Sequence, residues 1–319
     1  MLAPPSPGRC EKEFIMLNYL ASLPGAISQG LIWGIMAIGV YLTYRILDFA
    51  DLTVDGSICT GACVCAMAVV GGLPLWVAMI LATIAGMLSG FVTALFNTVL
   101  GIPPILSGIL TQLILWSVNL KILGKANQAL SARNYKLLVT QLNPAWQNIL
   151  VLVIFCAAVI GVLYWFFGTE TGSAIRATGN NPAMSRAQGI NTNVMKVIGL
   201  VLSNGLVALA GALLSQFLGQ ADINMGKGAI VIGLAAVIIG EAIFGRRVRN
   251  FALSLLCVIG GSVVYYLVYQ TVIYLGLDTD LLKMLSAVMV AIFLAIPYLK
   301  SKQRVKPKKF TDGEGQKNA

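Results

Sequence analysis

Histidine is absent from this chain of 319 residues. With it go the commonest general base, proton relay and metal-ligating side chain. Charge is also scarce. Asp, Glu, Lys and Arg make up 11% of the residues, whereas soluble domains carry about a quarter. The few acidic residues form no catalytic cluster, and no Ser/Lys arrangement stands in for one, which argues against a membrane-embedded transferase. No GxxxxGK[ST] run is present, so the chain does not bind ATP through a phosphate loop. Residues 1–15, MLAPPSPGRCEKEFI, lack the short apolar core and small-residue cleavage site of a signal peptide. Met16 offers an alternative natural start.

What fills the chain is hydrophobic: 58% of residues are apolar and the mean hydropathy is +0.84. A membrane span needs about 20 apolar residues. Nine runs meet this, roughly 25–44, 52–71, 74–98, 102–120, 148–168, 195–219, 228–245, 251–275 and 282–299. They are continuous rather than alternating, which predicts helices and not a barrel. The expected fold is all-α, a polytopic membrane protein of about nine transmembrane helices. An N-terminal tail (1–24) precedes a transmembrane domain (25–299), and a basic tail (300–319) follows it. No loop is long enough for a soluble domain.

Net charge is +10. The basic residues lie mostly in loops and at the C-terminus, where they report topology rather than a nucleic-acid partner. If residues 169–194 are cytoplasmic, that face carries fourteen Lys and Arg against eight outside. The tail supplies seven of the fourteen, so charge alone orients the chain weakly. Residues 121–147 and 276–281 then lie outside. The tail also suits anionic lipid head groups, or is simply solvated.

Of six cysteines, Cys59, Cys63 and Cys65 cluster in one apolar run, with Cys59 and Cys63 on one helix face. Without histidine or further ligands this spacing favours packing over a metal site. Neither metal nor cofactor is expected.

The longest polar stretch between two apolar runs is TGSAIRATGNNPAMSRAQGIN, residues 171–191. A plain connector needs only a few residues. This one carries helix punctuation: Asn181 as N-cap, Pro182 at the first helical position, a helix through Gln188, and Gly189 as a left-handed cap. A two-turn helix on the membrane surface is a docking element, and the alternative is an ordinary solvated loop.

Two segments look alike. ADLTVDGSICTGA opens the second run at Ala50, and ADINMGKGAIVIGLA opens the seventh at Ala221. Asp51, Gly56 and Gly61 match Asp222, Gly228 and Gly233 at an offset near 171. Five spans separate the copies, and an odd number means that they cross in opposite senses, an inverted repeat. Acidic groups at membrane depth face a cavity or a partner. Asp55 is therefore the better pathway candidate, and Asp48 an interfacial cap. Pro103 and Pro104 in GIPPILSG mark either a half-span or a proline-initiated helix.

Together these segments resemble the permease superfamily of branched-chain amino-acid and ribose ABC importers. The resemblance rests on DLTVDGS (51–57), IPPIL (102–106), the G-x-A-I-R-A-x-G-x-N-P…G-I loop from Gly172 to Ile190, and GLAAVIIGEAIFG (233–245). Glu241 and the basic turn Arg246–Arg249 depart from the sugar permeases and are closer to a branch associated with amino-acid-like substrates and a lipoprotein-type binding protein. The resemblance implies a permease subunit of the bacterial inner membrane that is not an enzyme and pairs as a homodimer in the lipid bilayer. It implies a cytoplasmic ABC ATPase and an extracytoplasmic solute-binding lipoprotein as partners. It assigns ATPase coupling to Arg176, Gly179, Asn180, Asn181, Pro182, Arg186 and Gly189. The matched acidic, hydroxyl and glycine segments give the pathway candidates Asp51, Thr53, Asp55, Ser57, Thr60, Asp222 and Asn224. A secondary transporter with inverted repeats is the rival. It needs coupling carboxylates in mid-membrane, where Asp55 is the best of few and Glu241 lies near an end.

Overall fold

A computed structural model describes residues 7–131, 133, 135–244 and 250–274, with scattered positions between 284 and 295. The run 282–299, the turn Arg246–Arg249, residues 276–281 and the tail 300–319 lie wholly or largely outside the described residues.

The first eight apolar runs are helices. In chain order they are α1 (Pro7–Tyr41, continued by a π-helical turn Leu42–Ile46), α2 (Val54–Val70), α3 (Leu75–Thr98), α4 (Pro104–Leu123), α5 (Ala145–Phe167), α8 (Thr192–Leu218), α9 (Ala229–Phe244) and α10 (Phe251–Tyr274). Between α5 and α8 lie two short polar helices, α6 (Glu170–Asn180) and α7 (Pro182–Ala187). Pro103 and Pro104 start a full 20-residue α4, so GIPPILSG is a proline-initiated helix and not a half-span. Proline at the first helical position gives up a backbone donor that has no helical partner anyway.

Among the described residues, six helical stretches are long and apolar enough to cross a membrane, Ser22–Ile46 of α1 being one. The shorter α2 and α9 have 17 and 16 residues. At ~1.5 Å per residue each reaches about 25 Å, less than the ~30 Å hydrocarbon core. Irregular segments, 47–53 and 223–228, precede them. Non-helical backbone at that depth persists only where protein covers it and satisfies its polar groups. Here Leu47 and Phe49 donate to the carbonyls of Leu42 and Thr43, and Thr53 N–H donates to the Asp51 carboxylate.

The centre of the bundle is α8 with the membrane-crossing part of α1. The outward faces of α3, α4 and α5 carry Ile80, Leu88, Leu113, Ile154 and Trp165, all exposed, as a lipid-facing shell requires. Small residues let the central helices touch. A Cβ on Gly61 would run into the Ala208 carbonyl, and one on Gly211 into the Ile58 carbonyl, so α2 and α8 meet backbone to backbone. Without a hydrophobic drive between helices in lipid, such van der Waals contact carries much of the association.

The packing maps onto itself when α1, α2 and α3 are exchanged for α8, α9 and α10. α3 packs on α8 as α10 packs on α1, and α2 on α3 as α9 on α10. Gly34 sits against Ile259 and Gly205 against Met87. Gly205 lies 171 residues after Gly34, and Ile259 lies 172 after Met87.

The described residues of the segment after α4 are fastened to the body. A two-stranded antiparallel ladder pairs β1 (Asn127–Ala129) with β2 (Gln220–Asp222). Leu130 N–H donates to the Gly219 carbonyl, and Leu130 and Val139 are buried.

Replacing Gly61 with valine should push α2 off α8 and cost at least about 1–3 kcal/mol, the usual scale for overpacking. Thermal unfolding in detergent, followed by size-exclusion chromatography, should show a lower midpoint and less monodisperse protein. Glycine to valine at lipid-side Gly161, where a Cβ meets nothing within 4 Å, should leave both close to wild type.

Candidate functional site

The amino ends of α2 and α9 meet. Asp55, in the first turn of α2, accepts from Gly228 N–H at 3.0 Å and Ile230 N–H at 2.9 Å. A carboxylate 173 residues away from Gly228 thus caps the start of α9, where helix geometry leaves N–H groups without intrahelical partners. The favourable placing of negative charge at a helix amino terminus adds to this. Gly226 packs on the Asp55 carbonyl and on Ile58 with no room for a Cβ, and its N–H donates to Cys59 Sγ at 3.1 Å.

The residues flanking Asp55 in sequence belong to a buried polar network. Asn204 of α8 donates to Asp51 at 2.7 Å and accepts from Ser57 at 2.6 Å. The Thr53 and Thr93 hydroxyls share a hydrogen bond of 2.6 Å. Thr60 bonds to the Gly56 carbonyl of its own helix. The structure therefore brings Asp51, Thr53 and Ser57 together, joined to α3 and α8, and none of these three nor Thr60 lines a described cavity. Asp222 and Asn224 sit apart at the β2 end, where Asp222 accepts from Asn224 N–H at 2.6 Å. Asn204 and Thr93 escaped the sequence reading because scattered polar residues inside long apolar runs form no motif.

Three cavities share walls in series. One of about 330 Å³ is lined by amides, among them Gln29, Gln141, Asn143 and Gln270. Gln29 also lines the next, of about 420 Å³, whose walls are Trp33, Tyr265, Tyr266 and Tyr269. Lys227 lines this one and a third of about 240 Å³, where Asp55, Gln112, Trp116 and Asn119 converge.

At the other end, α6 and α7 form the polar island. Every helix start there is capped by a side chain: Thr169 for α6, Asn181 for α7 and Asn191 for α8. Asn181 Oδ1 accepts from Met184 N–H at 3.0 Å, Pro182 takes the first position, and Gly189 has φ 83°. The helix ends at Ala187, one residue before the sequence expectation. The two helices differ in setting. α6 is fastened to the body: Gly179 lies against the Ile46 carbonyl, leaving no space for a side chain. The Arg176 guanidinium covers the rings of Phe167 and Phe251, 5.2 and 4.5 Å from their centroids. α7 projects, with Met184 59% exposed and Pro182 and Arg186 also open. Asn180 is exposed at the joint. Nearby, Arg45 of the π-turn pairs with Glu241 of α9 at 3.1 Å, which accounts for an acidic residue in an otherwise apolar helix.

A multi-helix membrane body with a fastened polar island is the build of a transport permease. The chain matches the family described as the permease component of branched-chain amino acid transport systems over residues 22–296, and it belongs to that family. It is an ABC transporter permease, a multi-pass protein of the bacterial inner membrane, and the family is one of transporters rather than enzymes. Among curated relatives, a tyrosine transport system permease protein of Clostridioides difficile is 36% identical over 276 residues, 86% of this chain and 91% of that protein. An uncharacterised protein of Rickettsia prowazekii is 34% identical over 274 residues, 85% and 95% respectively. The autoinducer 2 import system permease of Salmonella typhimurium is 25% identical over 243 residues, 73% and 66%. No solved structure matches the chain.

Replacing Asn204 with leucine should strand Asp51 and Ser57 without their shared partner. Each buried polar group so orphaned costs about 1–3 kcal/mol. Thermal unfolding in detergent should fall clearly for Asn204→Leu and less for Ser57→Ala, which removes a partner without burying a new orphan on Asp51.

Proposed function

We propose that this permease carries an amino acid across the inner membrane, delivered by an external binding protein and driven by a cytoplasmic ATPase that docks on α7. Family membership supports the partner classes and sets aside a secondary transporter. The observation that carries the coupling assignment is the contrast between the two island helices. A coupling element has to offer a protruding surface to the ATPase and a stiff joint to the spans. Pro182, Met184 and Arg186 supply the surface, and the caps at Asn181 and Gly189 fix it. Arg176 and Gly179 supply the joint, with Asn180 between the two.

The cavity series supports the solute assignment. Its middle member has aromatic walls, which suit an aromatic or large apolar side chain, and the tyrosine permease of C. difficile points the same way. The pathway we propose runs along this series to Asp55, with Asp51, Thr53, Ser57 and Thr60 as its buried backing and Asp222 and Asn224 at the β2 end. The exchange of α1–α3 for α8–α10 supports an inverted repeat, and two copies of the chain pair in the working importer.

In this arrangement the island is cytoplasmic and residues 121–147 face out. Lys121, Lys125, Arg133 and Lys136 then offer a basic surface to an acidic face of the binding protein. That contact should weaken as salt rises past the point where the Debye length falls below about 10 Å. Titrating the binding protein onto nanodisc-held complex at two salt concentrations checks it.

The test of coupling is Arg186→Glu in proteoliposomes containing the neighbouring ATPase. Substrate-stimulated ATP hydrolysis and uptake should fall at least about tenfold, as removal of a charged contact predicts, while insertion and dimer size stay unchanged. Full uptake in that variant would show that α7 does not carry the drive.

A further inference from the structure

Asn119 is a side chain that the packing leaves unexplained, with both of its polar atoms unpartnered. It lies on α4, is 1% exposed, and neither its amide oxygen nor its nitrogen has a hydrogen-bond partner. A buried amide with nothing to bond is costly, and more so where water is excluded. Asn119 lines the cavity of about 240 Å³ between α4, α2 and the segment before α9. Gln112 stands two turns earlier on α4 and lines it too, as residues seven apart share a helix face. On the facing wall are Asp55 and Lys227.

These two charges are not paired with each other. The ion pair found among the described residues is Arg45 with Glu241. Asp55 spends one lone pair of each oxygen on the backbone of α9, and a carboxylate has about four such sites. The Lys227 side chain is exposed and Asp55 is half-buried, and a carboxylate and an ammonium on the walls of one cavity, beside two amides, suit a ligand that brings both opposite charges. A lone anion would satisfy Lys227 and oppose Asp55. A sugar or a nucleoside base would bring no charge to either.

We propose that this cavity binds the zwitterionic head of a free α-amino acid, with its carboxylate on Lys227 and its ammonium shared by Asp55, Asn119 and Gln112. The volume equals that of roughly eight liquid waters at ~30 Å³ each, room for the head and the first part of a side chain. Trp116 forms the apolar wall, and the side chain points from Lys227 toward the aromatic cavity that shares this residue. The site deepens the amino-acid permease reading and rests on it. It differs from that reading in placing a recognition step inside the membrane subunit, separate from the binding protein.

The experiment uses permease and ATPase together in nanodiscs, without binding protein. Equilibrium binding is measured for tyrosine, phenylalanine and leucine, each against its amide, which lacks the carboxylate, and its N-acetyl form, which lacks the ammonium. At least one free amino acid should bind about tenfold or more tighter than both derivatives, the scale of one lost charged hydrogen bond. Lys227→Gln should abolish the preference over the amide and keep the preference over the N-acetyl form. Asn119→Leu should weaken the amino acid and narrow the gap to the N-acetyl form, while its melting temperature is unchanged or raised, because an orphaned amide is gone. Uptake into proteoliposomes with the binding protein is measured alongside. Normal ATP-driven amino-acid uptake with no binding, or with both variants binding like wild type, overturns the site and leaves the permease reading standing. The expected binding pattern without amino-acid uptake overturns the transport reading and keeps the site. Absence of both overturns both.

Discussion

Two helices of this permease begin inside the bundle, and an α-helix cannot begin in hydrocarbon without partners for its first amide protons. Asp55 supplies those partners for α9 from the first turn of α2. The consequences spread outward. The residues that flank it in sequence, Asp51, Thr53 and Ser57, are held in turn by Asn204 and Thr93 in a buried set of hydrogen bonds. For Asn204 to reach them, α8 has to lie close to α2 and α3. Gly61, Gly211, Gly86 and Gly90 make that approach possible by offering bare backbone. The small-residue interfaces, the short lengths of α2 and α9, and the cavity at their junction all follow from one capped helix end.

The parts of this arrangement that were legible in the sequence are local ones. Asn181, Pro182 and Gly189 each act on backbone within a few residues, so their pattern alone located α7. Runs of apolar residues located eight helices, since length and hydropathy are summed properties. α6 went unread because its Gly, Ser, Thr and Asn content argues against a helix. The contacts that hold it, Gly179 on Ile46 and Arg176 on Phe167 and Phe251, come from elsewhere in the chain. Asp55 was read as a pathway residue, and its bond to the start of α9 was not. The pairing spans 173 residues, and no periodicity encodes a partner at that distance. Asn119 is invisible for a different reason: two amides seven residues apart in an apolar helix, Gln112 and Asn119, make too sparse a pattern, and only its lack of partners singles Asn119 out.

The repeat offset occupies middle ground. An offset near 171 read from Asp51 and Asp222 recurs in packing between Gly34 with Ile259 and Gly205 with Met87. Yet the two halves are used differently. In the first half the acidic residue after α1, Asp51, turns inward to Asn204. Its counterpart Asp222 closes a turn on Asn224 and pairs with the ladder strand β1. On the inverted-repeat reading proposed above, similar packing carries asymmetric chemistry. One half supplies the carboxylate that caps, and the other supplies the helix end that is capped.

That asymmetry bears on how an event at the island would reach the junction. α6 rests on the carbonyl of Ile46, at the end of α1. One residue earlier, Arg45 holds Glu241 near the far end of α9. A tilt of α6 therefore presses on the end of α1 and, through one exposed ion pair, on α9. The amino end of α9 is the end that Asp55 holds beside the 240 Å³ cavity. An exposed ion pair is weak, about 0–1 kcal/mol, and the buried bonds at the junction are stronger. On the coupling reading proposed here, the pair at Arg45 is the joint that yields, and α9 moves as a rod pivoting about Asp55. Such a pivot changes the opening of the aromatic cavity lined by Val231 and Ile232 of α9 while preserving the hydrogen bonds that hold the bundle together.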